Sequence, residues 1–460
     1  MRNPTHAHPK LASARQTIRI RRMPEAPGMS ADSLHIHPFP ILRKSAAFGR
    51  IAIMSKHPTL SLEEPPPRTR INTSAPENPV SNQTIPENDR YSRQILFPGI
   101  GPTGQQLLAR AHVAIVGVGA TGAATASLLA RAGVGTLTLI DRDFVEPSNL
   151  QRQVLFDEAD ARESLPKAEA ARRKIALFNS TIAVHSKIAD LVPANIHELL
   201  APADLILDAT DNFETRYLLN DYAVQQSKPW IYAAAIGAYA ATMNILPVGS
   251  IPPLESCHSN PELAEGEEST HLSLQTERSN AAIIYKPTAC LACIFPKPPT
   301  GPVETCDTAG ILSTAVNLAA SIQTTETLKL LTHQPHLLRR TLFSYDLWSN
   351  ERSEINASTP NPNCLVCGQR IFSHLAGEGR PHVTLCGRNS VQIHEHHRPI
   401  DFAAMRDRLQ PHGAVRFNDL LLRFDRPPHT LTLFPDGRCL IQGTTDITIA
   451  RSLYARFIGS

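Results

Sequence analysis

The sequence predicts an α/β fold, most of it a doubly wound, mainly parallel sheet. Three observations carry that expectation. From about residue 112 to 237, apolar runs rich in β-branched residues alternate with stretches of helical periodicity, as βαβ units require. The first run, HVAIV, leads straight into GVGATG, Gly117 to Gly122. Asp141 closes the second run, TLTLID, nineteen residues beyond the last of those glycines. A strand, a G-x-G-x-x-G turn, a helix and an acidic residue about twenty positions on make up the dinucleotide-binding fingerprint.

Taken in order, NDRYSRQILF opens at a helix-capping residue and TGQQLLARAH is a second short helix. VAIVGVG is a buried strand and AATASLLARAG its helix. TLTLID is the next strand and PKAEAARRKIALFN the helix after it. IAVHSKI, PANIHELLA, DLILDAT, NFETRYLLNDYAVQQS and PWIYAAAIG continue as strand, helix, strand, helix and strand. After TMNILPVGS the pattern breaks. Residues 250–286 are polar and partly acidic and read as a long loop. A long helix from Ile311 to Leu331 and a hairpin around LFSYDLWSNERSEI follow. Beyond Arg370, the short strands HVTLCG, SVQIHE, LTLFPDG and RCLIQGT and the helices DFAAMRDRLQ and DITIARSLYARFIG form a small α+β domain, residues 371–460.

The start of the chain differs. Residues 1–54 are rich in Arg, His and Pro, with Glu25 and Asp32 their only acids, and the proline-broken polar character runs on to about Asn88. Such a composition cannot bury a core, so residues 1–87 are expected to be disordered. An Arg-rich, acid-poor start resembles a transit peptide, against which stands the lack of a sustained amphipathic pattern; Met54 is an alternative start.

With 460 residues, 42% hydrophobic and a net charge of +3, the chain suits two or three globular domains and favours neither nucleic acid nor a membrane surface as its main partner. No apolar run reaches the roughly 18 residues that span a bilayer, and the expectation is a cytoplasmic protein. Eight cysteines include two C-x-x-C pairs, a pattern for metal or thiol chemistry.

The chemistry-bearing residues follow. Gly117, Gly119 and Gly122 let backbone N–H groups approach phosphate oxygens at a helix N-terminus, and Asp141 is placed to accept ribose hydroxyls. These features alone admit NAD, FAD, S-adenosylmethionine or ATP. In DFVEPSNLQRQVLF, Arg152 is a permanent planar cation suited to phosphate. Lys167 starts the next helix; otherwise it is a solvated surface lysine. LILDATDN ends a strand with Asp208, Asp211 and Asn212, where a carboxylate can hold Mg²⁺ or simply cap the next helix. A ribose acceptor, two cations and a magnesium carboxylate describe the handling of a triphosphate rather than hydride transfer. Cys290-x-x-Cys293 and Cys364-x-x-Cys367 can together form a closed, structural four-thiolate Zn²⁺ site; a redox dithiol is the alternative. Cys306, in ETCDTAG, precedes a helix, which favours thiolate; otherwise it is an inert cysteine. Cys257, Cys386 and Cys439 have no interpretable partner spacing.

Eight ordered motifs resemble the ThiF/MoeB/HesA family, bacterial relatives of the ubiquitin-activating enzymes: RYSRQILFPGIGPTGQQLL, VAIVGVGATG, AGVGTLTLIDRDFVEPSNLQRQVLF, PKAEAARRKI, LILDATDNFETRYLLND, CLAC, TCDTAGIL and NPNCLVCG. The resemblance spans residues 88–370 and implies a Rossmann-like adenylyltransferase domain with a zinc knuckle. It implies ATP as the nucleotide and adenylation of the C-terminal glycine of a small ubiquitin-like sulfur carrier, for thiamine or molybdopterin biosynthesis. By motif, Gly117, Gly119 and Gly122 would line the nucleotide and Asp141 would bind ribose. Asn149, Arg152 and Lys167 would contact phosphates, and Asp211 would bind Mg²⁺. Arg93 would reach a partner subunit's site, implying a homodimer, and Cys306 falls where thiazole-pathway members carry a cysteine that can bond to the carrier. A sulfur donor such as a cysteine desulfurase is a further implied partner. The sequence departs from the family's GGLG at Ala120 and Thr121, and its C-terminal domain does not resemble the rhodanese module of some members. A catalytically inactive scaffold and an NAD-dependent oxidoreductase are the competing readings.

Overall fold

The structure, a computed structural model, describes residues 87–248, 250–251, 283–298, 306–377, 383–386, 390–393, 400–435 and 437–459. The expected N-terminal extension and most of the loop at 250–286 lie outside the described residues.

Two short helical turns, α1 (Glu87–Arg90) and α2 (Ser92–Ile95), and helix α3 (Gly101–Arg110) lead into β1 (His112–Val116). There follow α4 (Ala120–Ala132), β2 (Thr136–Asp141), α5 (Glu158–Glu163), α6 (Lys167–Phe178), β3 (Ala183–Ile188), α7 (Ile196–Leu200), β4 (Leu205–Asp208), α8 (Phe213–Gln225), β5 (Trp230–Ile236) and β6 (Tyr239–Ile245). A two-residue pair, β7 (Ser250–Ile251) and β8 (Ile283–Ile284), precedes α9 (Leu291–Ile294), α10 (Cys306–Ala309) and the nineteen-residue α11 (Ser313–Leu331). The hairpin is β9 (Thr341–Asp346) and β10 (Glu351–Asn356).

The main sheet has the order β10-β9-β6-β5-β4-β1-β2-β3. Its five strands β5-β4-β1-β2-β3 are parallel, and β6, β9 and β10 join antiparallel at one edge. Helices cover both faces, as buried parallel strands demand. Leu108, Leu129, Ile175 and Leu330 pack with Val113, Ile115 and Leu139 on one face. Leu200, Leu219 and Tyr222 pack with Ala114, Ile206 and Trp230 on the other. Val113 and Ile115 are wholly buried, and burying a side chain of this kind contributes about 1.5–3 kcal/mol.

Strand β6 is an addition to the sequence reading, which places the break only after TMNILPVGS. Gly237 takes a positive φ of 57° and turns the chain so that β6 runs back along β5. Its residues, YAATMNI, carry a weak strand propensity that the pairing overrides.

The second sheet is antiparallel: β11 (Val383–Cys386), β12 (Ser390–Ile393), β13 (Ala414–Phe417), β14 (Leu422–Arg426), β15 (His429–Leu433) and β16 (Cys439–Gln442), in the order β11-β12-β16-β15-β14-β13. Helices α12 (Phe402–Leu409) and α13 (Ile447–Phe457), each capped by an aspartate, complete this module. Strands β13 and β14 are additions to the sequence reading. The module meets the main domain at an apolar patch of Phe144 with Leu421, Phe434 and Leu440, backed by Ile188.

Candidate active site

In the main sheet the strand order reverses between β1 and β4. There the C-terminal ends of the parallel strands open into a cavity of about 690 Å³, the place where doubly wound sheets bind ligands. The floor is the glycine turn. Gly117 has a φ of +86°, and a Cβ on it would lie 2.7 Å from the Ala209 carbonyl oxygen. A Cβ on Gly122 would lie 1.9 Å from the Gly117 carbonyl oxygen. Both positions are therefore closed to any side chain. Gly119 lines the cavity at the start of α4 and Thr121 stands beside it.

Asp141 ends β2 and is nearly buried. Its Oδ2 accepts a hydrogen bond from Val118 N at 2.6 Å and its Oδ1 one from Asp143 N at 2.7 Å. Burial holds its carboxyl above the usual range, against the pull of Lys167. Lys167, the first residue of α6, is buried with its Nζ 3.1 Å from Asp143 Oδ2. Burial alone would lower its pKa, but Asp143, Asp141 and Asp211 outweigh it and hold the ammonium above its ordinary value. Arg152 lines the same cavity, its Nη1 donating to Ser148 O at 2.8 Å.

From the opposite side, β4 ends in Asp208, wholly buried and paired at 3.1 Å with Arg216 Nε. Asn212 caps α8, accepting from Thr215 N at 2.8 Å. With Asp208 and Asn212 so engaged, Asp211 is the carboxylate of this strand end that stands exposed in the cavity.

The four cysteines of the two C-x-x-C pairs meet. Sulfur separations are 3.8 Å for Cys290–Cys293, 3.6 Å for Cys290–Cys364 and 3.3 Å for Cys293–Cys367, and all four sulfurs lie within 4.8 Å of one another. A tetrahedral zinc with bonds near 2.3 Å needs sulfurs about 3.8 Å apart, so the donor set fits that ion. The cluster joins the cavity through α8: Tyr217 Oη donates to Phe295 O at 2.7 Å, and Leu291 N donates to Asn220 Oδ1 at 2.8 Å.

The ThiF family model matches residues 91–366. The chain belongs to the ThiF family. The sulfur carrier protein ThiS adenylyltransferase of Bacillus subtilis is 40% identical over 374 residues, covering 80% of this chain and 99% of its own. The sulfur carrier protein adenylyltransferase of Thermus thermophilus is 33% identical, covering 62% of this chain and 92% of its own. A solved structure of E. coli MccB overlies 62% of this chain and 74% of its own at 22% identity, with a TM-score of 0.47.

Not every residue singled out from the sequence faces the cavity of this ThiF-family chain. Asn149 is wholly buried: its Oδ1 accepts from Glu146 N, and its carbonyl accepts from Arg152 N and Gln153 N, which shapes the turn that carries Arg152. Gly122 supports the turn from below. Arg93 is exposed on α2, away from the lining residues. Cys306 opens α10, five residues before Ile311, which borders the cavity; the side chain of Cys306 lies outside the described residues. Sequence reasoning missed Arg216, a buried cation in the lining. Its signal was slight, a basic residue one turn into a helix that follows a strand-end aspartate.

Proposed function

We propose that the chain activates the C-terminal glycine of a small ubiquitin-like sulfur carrier by adenylation, in thiamine or molybdopterin cofactor biosynthesis. The observation that carries this reading is the convergence of Arg152, Lys167 and Asp211 on one cavity above the glycine turn. The names of the Bacillus and Thermus relatives support the same activity. A carboxylate oxygen of the carrier attacks the α-phosphorus of ATP. The bond to the bridging oxygen of the leaving group breaks, giving an acyl-adenylate and pyrophosphate. The protein's part is alignment and charge neutralisation. Gly117 and Gly119 let the triphosphate approach the start of α4, Asp141 holds the ribose, and Arg152 and Lys167 face the phosphates. Asp211 would hold Mg²⁺, which when bound neutralises phosphate charge. Zn²⁺ on Cys290, Cys293, Cys364 and Cys367 would be structural. Asn149 acts by fixing the Arg152 turn.

Arg93, exposed and outside the lining, suits a group that completes the cavity of a second copy, so a homodimer is part of the proposal. Cys306 is assigned the link with the carrier on the resemblance of TCDTAG to the thiazole-pathway motif, and a cysteine desulfurase is a suitable sulfur donor. An NAD-dependent oxidoreductase would leave Arg152, Lys167 and the cysteine cluster without a task. An inactive scaffold would have no use for Asp211.

ATP–pyrophosphate exchange on the purified protein, with thiazole-type and molybdopterin-type carriers added in turn, tests the proposal. Exchange with one carrier, lost in Asp211→Ala, is the expected result. A folded, metal-loaded protein that exchanges with none would leave the scaffold reading standing.

A further inference from the structure

The C-terminal module docks on the loops that follow β2 and β3. Buried Arg438 stacks 4.2 Å over the Phe434 ring and aims its guanidinium at the carbonyls of Arg142 and Ile188, 3.4 and 3.5 Å away. Gln392 Nε2 donates to Asp190 Oδ2, and Gln442 Nε2 donates to Glu146 Oε1, each at 3.2 Å. The docking also brings three module residues into the lining of the cavity: Ser390, Leu440 and Gln442. Ser390 and Gln442 are paired across β12 and β16, so their side chains stand side by side at one edge of the module.

The position of that edge in the cavity is informative. In a sheet of this order the phosphates sit over the turn after β1 and the ribose at the end of β2. The base therefore extends over the end of β3. Ala189 and Leu191, just beyond β3, line the cavity there. Facing them is the module. We infer that the C-terminal module is the base-recognition wall of the nucleotide site. Leu440 and Leu191 supply apolar surface to a purine ring, and Ser390 and Gln442 read its edge. With Gln442 Nε2 held by Glu146, no hydrogen bond among the described residues takes up its Oε1, which is left as an acceptor. The exocyclic amine of adenine donates to such a group, whereas guanine carries an acceptor oxygen at that position. This inference rests on the adenylation reading for the nucleotide's orientation.

The test uses the full-length protein with Gln442→Ala and Ser390→Ala. One neutral hydrogen bond is involved, so the KM for ATP in carrier-dependent exchange is expected to rise roughly five- to tenfold. kcat and the KM for the carrier should change less than about twofold, and the preference for ATP over GTP should fall with the ATP affinity. A purely structural role would lower melting temperature and kcat and leave the base preference intact. Wild-type KM and wild-type ATP/GTP preference in both variants would overturn the inference. Where no carrier supports exchange by the wild-type protein, calorimetric binding of ATP and GTP reads the wall directly. Weaker ATP binding and lost preference in Gln442→Ala then support it, and unchanged binding overturns it.

Discussion

The two ends of the cavity are built on different principles. At one end, Arg152, Lys167, Asp211 and Arg216 crowd around the glycine turn, and each cation is placed by a carboxylate or a carbonyl: Lys167 on Asp143, Arg216 on Asp208, Arg152 on Ser148 O. At the other end the module's own face is neutral, with Ser390, Leu440 and Gln442 from a separate sheet facing Ala189 and Leu191, and the acids of that rim, Asp190 and Glu146, accept hydrogen bonds from Gln392 and Gln442. The first end is suited to charge that moves during a reaction. The second is suited to recognition, where a mismatch is costly but nothing reacts. Substitutions at the charged end should therefore act on kcat, and substitutions at the neutral end on KM.

The sharpest break of that contrast is at Lys167. Its ammonium is held protonated by three carboxylates and is already fixed before substrate arrives, so Lys167→Gln removes a preorganised charge. Exchange should fall about 10²–10³-fold in kcat, with a smaller change in the KM for ATP. A fall confined to KM would mean that the charged end binds without catalysing, and the contrast would collapse. Melting curves guard the interpretation, because losing Lys167 also leaves Asp143 without its buried partner.

Next in size is the cysteine cluster, a support beneath the charged end alone. Because α8 carries the Asn212 cap, Arg216, Tyr217 and Asn220, and the last two bond to the segment after Cys290, Cys364→Ser loosens the helix that starts beside Asp211. Losing a structural ligand of this kind is expected to cost about 3 kcal/mol, roughly 6–12 °C in melting temperature. Stoichiometric zinc in the wild-type protein, absent from the variant, is the accompanying readout. Unchanged stability together with a reversible thiol oxidation would instead assign the cluster to redox chemistry.

The same division explains what could be read from the sequence. The glycine turn, Asp141 and Asp211 lie within a few residues of a strand end, and Arg152 and Lys167 sit in a local turn and at a helix start within the segment that follows β2, so for each of them motif and place coincide. The two C-x-x-C pairs were legible for a similar reason: each is a short turn with both ligands inside it. Arg216 was not, because a helix arginine at that spacing reads equally well as a solvated one, and only its contact with Asp208 across the strand end makes it a buried site cation. The neutral wall was wholly hidden. Ser390 and Gln442 become a pair through β12–β16 registry, and they reach the cavity through docking contacts with residues some 200 to 300 positions earlier in the chain. Neither step leaves a local trace. Strands β13 and β14, AVRF and LRFDR, were missed because they are short and broken by charge.

The smallest expected effect tests whether the charged end has an electrostatic foundation of its own. Glu169 sits two residues after Lys167 on α6. It accepts from Arg172 at 2.7 and 2.8 Å, from Arg173 at 2.9 Å and from Ser186 on β3 at 2.8 Å, so it fastens the helix of Lys167 to the sheet. Its carboxyl is held at about 2, against an ordinary 4.5, chiefly by the hydrogen bonds from Arg172 and then by Ser186 and Arg173. A carboxylate whose folded pKa is depressed stabilises the fold above its unfolded value and loses that contribution as pH falls toward the folded one. Here the window runs from 4.5 down to about 2. The two arginines are about half exposed, so screening limits the contribution to about 1 kcal/mol. Glu169→Gln should therefore melt below the wild-type protein at pH 7, with the gap closing as pH drops through that window, and ATP/GTP preference should not move. A gap that persists at low pH would mean that packing rather than charge anchors α6, and a shift in base preference would mean that the two ends of the cavity are coupled.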